Sequence, residues 1–213
     1  MKRLATFATL LLAVPILMAM PHRATAVPPP EAQKAPVTTA CLMSAYKGET
    51  TAHSKYAAYA FKAEQEGYTD VARLFRAVAA SEQVHARNHR HALARLGIRH
   101  PDVGAFTEEN LSTRDNLEDA IQGENHEIRS MYPKFIREAK LEGQMDAARS
   151  FEYALSAERQ HAALFREALK NLGSKPKGTV YYVNPTCGST YANRPPAFCP
   201  VCGTPRAHFE RIE

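Results

Sequence analysis

Two Glu-x-x-His steps, Glu82-Gln-Val-His85 and Glu158-Arg-Gln-His161, stand 76 residues apart, and no other Glu in the chain is followed by His at that spacing. On a helix, a step of three places carboxylate and imidazole on one face. One such step is usually a solvated surface pair. Two of them, each with an upstream Gly-Glu (Gly48-Glu49 and Gly123-Glu124), describe ligands projecting inward from four helices, the arrangement of a binuclear metal site in a four-helix bundle.

The surrounding sequence repeats at the same displacement. Glu66-Gly67 matches Glu142-Gly143, Tyr56 matches Tyr132, and Phe75 matches Phe151, all 76 residues apart. Gly48-Glu49 and Gly123-Glu124 are 75 apart, so one residue has been inserted between Glu124 and Tyr132. A helix commonly absorbs one extra residue as a π-turn, and such turns concentrate at functional sites. The insertion falls in the segment that carries Glu127.

Breakers and caps divide the chain. Thr38 or Thr39 is expected to cap a helix running to about Glu66, and Thr69 or Asp70 a second running to about Leu96. Residues 97–112 lack helical period, and 16 residues is long for a simple hairpin, so this stretch reads as a crossover along the bundle. Ser112 or Thr113 caps a third helix to about Leu141, and a fourth ends at Leu172-Gly173. The expected architecture is all-α: a four-helix bundle over 38–173, then a small Tyr-, Pro- and Cys-rich knuckle domain over 178–213.

Residues 1–26 read as a signal peptide. Lys2 and Arg3 precede an uncharged, mostly apolar stretch from Leu4 to Met20, and Ala24-Thr25-Ala26 is a cleavage signal. The apolar stretch is short for a bilayer span and holds Pro15. The expectation is therefore an exported, periplasmic protein with no membrane attachment after cleavage. Residues 27–37, rich in proline, read as a linker. Losing the signal lowers the formal net charge from +5 to +2. No basic cluster with interleaved aromatics remains, which argues against a nucleic-acid partner.

The candidate bundle ligands are Glu49, Glu82, His85, Glu124, Glu127, Glu158 and His161. Carboxylate and imidazole without thiolate favour iron or manganese, with zinc a further option. Two divalent ions would nearly neutralise five carboxylates; without metal, several would have to protonate. Glu127 has no counterpart in the first repeat, which weakens its case from spacing. Tyr56 and Tyr132, duplicated beside the carboxylates, read as hydrogen-bond partners of the ligands. His53, His89, His91 and His126 read as surface residues. In the tail, Cys199-Pro-Val-Cys202 has the spacing of a metal knuckle.

With these stretches in view, the chain closely resembles the rubrerythrins. The resemblance is carried by Gly48-Glu49…Lys55-Tyr56, Glu82-Gln-Val-His85-Ala86, Gly123-Glu124-Asn-His-Glu127 with Met131-Tyr132-Pro133, Glu158-Arg-Gln-His161 and the Cys-rich tail. It covers essentially everything after the linker. It implies a ferritin-like bundle holding two iron ions (manganese or a mixed pair would use the same ligands), with a rubredoxin-like C-terminal domain and reduction of hydrogen peroxide to water. It further implies that Glu82 and Glu158 bridge, that His161 holds one iron, and that the other shifts between His85 and Glu127. The tail iron would pass electrons into the bundle of a partner subunit in a homodimer; the electron donor is not named by the sequence.

Two positions depart from the family pattern. His53 stands where the family has Arg. The first tail knuckle reads Asn184-Pro-Thr-Cys187, so only Cys187, Cys199 and Cys202 remain of the four thiolates that rubredoxin iron needs. Three cysteines with an oxygen ligand, zinc, an empty site, a disulfide, or Cys41 as the fourth ligand all stay open. An iron-oxidising or iron-holding protein and a non-enzymatic metal-binding module are the rival functions.

Overall fold

The computed structural model describes residues 34–99, 101 and 111–213. The signal peptide and most of the linker and crossover lie outside these residues. The bundle is built from α1 (Pro36–Gln65), α2 (Thr69–Arg95), α3 (Thr113–His126), α4 (Tyr132–Leu141) and α5 (Met145–Lys170). α3 and α4 form one continuous rod, joined by a π-helical turn over Glu127–Met131. The inserted residue of the second repeat is absorbed there, between Glu124 and Tyr132.

The helix ends show how the two halves interlock. α1 starts earlier than expected, with Ala35 as N-cap and Pro36 in its first turn, and neither Thr38 nor Thr39 caps it. Instead the Glu142 carboxylate, from the far half of the chain, accepts the backbone N–H groups of Thr38 at 2.8 Å and Val37 at 3.2 Å. Its repeat partner Glu66 accepts the Thr113 N–H at 2.9 Å, at the start of α3. Ser112 caps α3 as expected, in a capping box with Asp115. α2 begins at Thr69 with Tyr68 as N-cap and no side-chain cap, so neither Thr69 nor Asp70 fills that role. The glycines that follow the two capping glutamates, Gly67 (φ 81°) and Gly143 (φ 71°), turn the chain out of α1 and α4 in the left-handed region that favours glycine.

Two apolar clusters fill the bundle. One gathers Tyr56, Leu74, Phe75, Val78, Leu117 and Phe165; the other gathers Leu42, Leu93, Tyr132, Phe135 and Phe151. Each contains one of the duplicated tyrosines and one of the duplicated phenylalanines, so the internal repeat is also a packing repeat. Cys41 lies in the second cluster, away from the three tail cysteines, which form a separate buried group. It is not their fourth ligand.

The tail is a three-stranded antiparallel sheet in the order β2-β1-β3, with β1 Tyr181–Val183, β2 Thr190–Ala192 and β3 Glu210–Ile212. Tyr181 pairs with Ala192 on one side and Ile212 on the other. Tyr181 and Val183 join the first apolar cluster, which seats the sheet on α2 of the same chain. Polar contacts reinforce that seat: Arg73 donates to the Thr179 carbonyl at 2.7 Å, Asn88 to the Thr186 carbonyl at 2.9 Å, and Arg76 to the Glu213 carbonyl at 2.9 Å. The resemblance implies docking on a partner's bundle; the contact described here is made within one chain.

Candidate metal centre

Six of the seven expected bundle ligands converge. Glu49, Glu82, His85 and Glu158 form one group whose ligand atoms all lie within 4.8 Å of one another; Glu82, Glu124, Glu158 and His161 form a second. Glu82 and Glu158 belong to both, so the groups share two carboxylates. All six residues are buried. Glu127, on the π-turn, is half-buried and belongs to neither group.

The directions of the donor atoms say more than their proximity. His85 Nδ1 lies 2.8 Å from Glu82 Oε2 and 3.1 Å from Glu158 Oε1, and His161 Nδ1 lies 2.7 Å from Glu158 Oε2. Even so, among the described residues none of these atoms meets hydrogen-bond geometry with a partner; nor do Glu49 Oε2 and Glu124 Oε2. Unsatisfied buried polar atoms are rare, and each costs about 1–3 kcal/mol, more when charged. Seven donor atoms close together without hydrogen-bond direction between them are aimed at shared points.

The opposite edge of each imidazole is tied to the tail. His85 Nε2 lies 3.5 Å from Ser81 Oγ, whose hydroxyl donates to the Gly188 carbonyl at 2.6 Å. His161 Nε2 lies 3.2 Å from Thr190 Oγ1, whose hydroxyl donates to the same carbonyl at 3.1 Å. Both chains end on an acceptor, so each histidine carries a proton on Nε2 and Nδ1 is the atom that would meet a metal. Without one, burial lowers the pKa of both imidazoles, but Glu158 and Glu82 outweigh it and hold both well above their ordinary value. Outer partners of this kind fix tautomer and ring orientation in metal sites.

The two tyrosines cross between the repeats. Tyr56 of the first donates to Glu124 of the second at 2.8 Å, and Tyr132 of the second donates to Glu49 of the first. Burial first, and then the adjacent carboxylates, push both phenols well above their ordinary pKa and keep them protonated donors. Crowding acts on the carboxyls too. Burial, then Glu82 and Glu158, hold Glu49 well above the usual range, and burial with Glu158 raises Glu124 to about 8. Glu82 goes the other way, to about 2: burial raises it, but His161 and His85 outweigh that effect. Glu127 is raised by burial and then by Glu49, Glu158 and Glu124, which places it in the field of the cluster even though it stands outside both groups.

One expectation needs correction. His89 is not a surface residue: it is fully buried, with Nδ1 2.7 Å from Ser150 Oγ and Nε2 3.1 Å from Tyr132 Oη. Burial, then His85, lowers its pKa to about 3, so it is neutral. Tyr132 spends its proton on Glu49, so His89 donates from Nε2 to the Tyr132 oxygen and accepts from Ser150 at Nδ1. The repeat held the signal, because 76 residues on from His89 is Phe165, a core position. His53 is half-buried, its Nδ1 2.8 Å from the Ala79 carbonyl oxygen, while His91 and His126 are exposed.

Cys187, Cys199 and Cys202 also converge, and all are free thiols. Asn184, at the position of the missing cysteine, is fully buried beside them.

A four-helix rod bundle with a duplicated, buried Glu/His cluster at its centre and a strand-and-knuckle tail defines a ferritin-like protein of the two-domain kind. Comparison with known proteins narrows this. The rubrerythrin family model matches residues 40–169. Rubrerythrin-2 of Clostridium acetobutylicum is 36% identical over 176 residues, 82% of this chain and 96% of that one. Nigerythrin of Nitratidesulfovibrio vulgaris is 35% identical over 170 residues, 79% of this chain and 83% of that one. The solved structure of nigerythrin in its fully reduced, all-ferrous state is similar with a TM-score of 0.77 and 33% identity, over 82% of this chain and 86% of that one. The chain belongs to the rubrerythrin family.

Proposed function

We propose that the bundle holds a binuclear iron centre and reduces hydrogen peroxide to water. The observation that carries this reading is the pair of four-residue groups sharing Glu82 and Glu158, with buried donor atoms left without hydrogen bonds. Glu49 and His85 would hold one iron, Glu124 and His161 the other, and Glu82 and Glu158 would lie between them. When bound, two ferrous ions supply Lewis acidity and the two electrons that peroxide cleavage requires; two protons complete the conversion to two waters.

The chain's own residues orient and enclose. Tyr56 and Tyr132 hold the Glu124 and Glu49 carboxylates in place. Ser81 and Thr190 hold the Nε2 edges of His85 and His161, so that Nδ1 of each would face the metal positions. Glu127 stands on the π-turn at the margin of the cluster, in the field of Glu49, Glu158 and Glu124. This supports its role as the ligand that alternates with His85. The working form is read as an exported, periplasmic homodimer supplied by an external electron donor.

A second reading, oxidation and retention of iron, draws on one observation: Asn184 interrupts the thiolate set that would feed electrons to the bundle. Anaerobic, iron-loaded and reduced protein separates the two. Peroxide reductase activity gives repeated turnover when a chemical reductant is present. Consumption of about one peroxide per pair of irons, with ferric iron retained and no further turnover under reductant, would replace the first reading with the second.

A further inference from the structure

The family implies a four-thiolate iron in the tail, and the residues present do not fit it. Asn184 does not offer a ligand in the lost position. Its Oδ1 accepts the backbone N–H of Thr186 at 2.8 Å and of Cys187 at 3.4 Å. These partners are donors, which fixes the oxygen on that side of the amide. The nitrogen faces the other way and donates to Cys202 Sγ at 3.2 Å. An amide N–H₂ has no lone pair for a cation. The asparagine therefore preserves the turn with its oxygen and directs a hydrogen-bond donor at the sulfurs.

The three sulfurs remain gathered. Their Sγ atoms lie within 4.8 Å of one another, and those of Cys187 and Cys199 are 3.6 Å apart. Hydroxyls surround them: Ser189 Oγ is 3.2 Å from Cys187 Sγ and 3.8 Å from Cys199 Sγ, and Thr204 Oγ1 is 3.1 Å from Cys202 Sγ. The Asn184 amide donates to Cys202 Sγ and the Ser189 hydroxyl can donate to Cys187 Sγ, while the Thr204 hydroxyl donates to Thr186 Oγ1. Cys187 and Cys199 are buried, while Cys202 is partly exposed and leaves an approach from solvent. Three convergent thiolates with one open side are the donor set of a soft closed-shell cation, with solvent completing the coordination.

We infer that the C-terminal domain is a three-thiolate site for a thiophilic closed-shell cation of the zinc(II) type, and not an electron-carrying iron site. The inference is independent of the bundle's function, because it uses none of the bundle ligands. A redox-silent ion here would make the tail a structural clamp, holding the Gly188 carbonyl against Ser81 and Thr190 and through them both histidines.

The full chain, reduced and then freed of metal, is titrated anaerobically with cadmium(II) as a spectroscopic probe and with zinc(II). Thiolate-to-cadmium absorption is expected to saturate at one equivalent in the wild type and to persist when the bundle is disabled by Glu82→Ala with Glu158→Ala. It is expected to disappear in Cys199→Ser. Zinc is expected to protect Cys187, Cys199 and Cys202 from alkylation at least about tenfold, the reactivity of Cys41 staying unchanged. Supplied with ferrous iron and air, Asn184→Cys is expected to turn red with ferric four-sulfur absorption while the wild type does not. A red four-sulfur spectrum in the wild type would overturn the inference. So would an absence of cadmium–thiolate absorption with equal alkylation in the presence and absence of zinc, or a disulfide among the three cysteines in protein isolated under conditions that keep Cys41 reduced.

Discussion

Gly188→Ala tests the connection between tail and bundle at its tightest point. Gly188 adopts φ +80°, and a Cβ there would lie 2.2 Å from His85 Nε2, 2.7 Å from His85 Cδ2 and 2.7 Å from Ser81 Oγ. Gly203, in the same domain, has φ +77° and nothing within 4 Å of its Cβ position. Both alanine variants carry the left-handed backbone penalty of about 1–2 kcal/mol. Only Gly188→Ala adds overpacking, about 1–3 kcal/mol, and loss of the two hydroxyl bonds to its carbonyl, about 0.5–1.5 kcal/mol each. The expected excess over Gly203→Ala is therefore about 2–6 kcal/mol, concentrated in the tail because the helices have their own cores. Hydrogen exchange reads it directly. Protection of the β1–β3 amides should fall at least about 30-fold further in Gly188→Ala than in Gly203→Ala, with α1 and α5 changed little. Equal loss in the two variants would show that Gly188 does not press on His85 and Ser81, and would remove the tail from the account of the histidine tautomers.

Three further outcomes are expected. His89→Phe alone leaves the Ser150 hydroxyl buried without its partner and should cost about 1–3 kcal/mol in chemical denaturation. Adding Ser150→Leu restores the Phe165/Leu74 pairing of the other repeat and should recover most of that; strictly additive losses would contradict the coupling. Glu142→Ala removes the carboxylate that caps α1 and should cost about 1 kcal/mol at neutral pH. Burial opposes the shift, but the Thr38 and Val37 hydrogen bonds lower the folded-state pKa of Glu142, so its stabilisation is present above the ordinary carboxylate pKa and is lost as pH falls through the lower folded value. A cost for Glu142→Ala that persists under fully acid conditions would sink the capping assignment. Glu127→Ala should leave metal content near the wild-type value while slowing peroxide turnover by about tenfold or more, the scale of losing a supporting interaction at a metal site; unchanged turnover would exclude Glu127 from the cycle.

Much of the bundle could be read from the sequence because helical geometry converts spacing into direction. Glu-x-x-His is a statement about one helical face, and a register change from 75 to 76 marks an insertion that a rod can absorb as the π-turn at Glu127–Met131. The features that escaped are those in which partners are distant in sequence. Glu66 and Glu142 were visible as a repeated Glu-Gly, but their reach to Thr113 and Thr38 depends on how the halves pack. His89 looked like one of several surface histidines in a basic stretch; aligned with Phe165 it occupies a core position, and Ser150 answers its ring from another helix. The contact of Gly188 with Ser81 has no local signature, because a backbone carbonyl is present at every residue and only docking selects this one.

The central claim is that Glu82 and Glu158 are shared by two metal positions. Metal analysis of the purified protein, reconstituted with ferrous iron, tests it most directly when wild type is set beside Glu82→Ala and Glu158→Ala. The account expects about two irons per chain in the wild type, discounting any held by the tail cysteines, and loss of both together in each variant. Retention of one full equivalent in the bundle of either variant, or a single iron in the wild-type bundle, would contradict it.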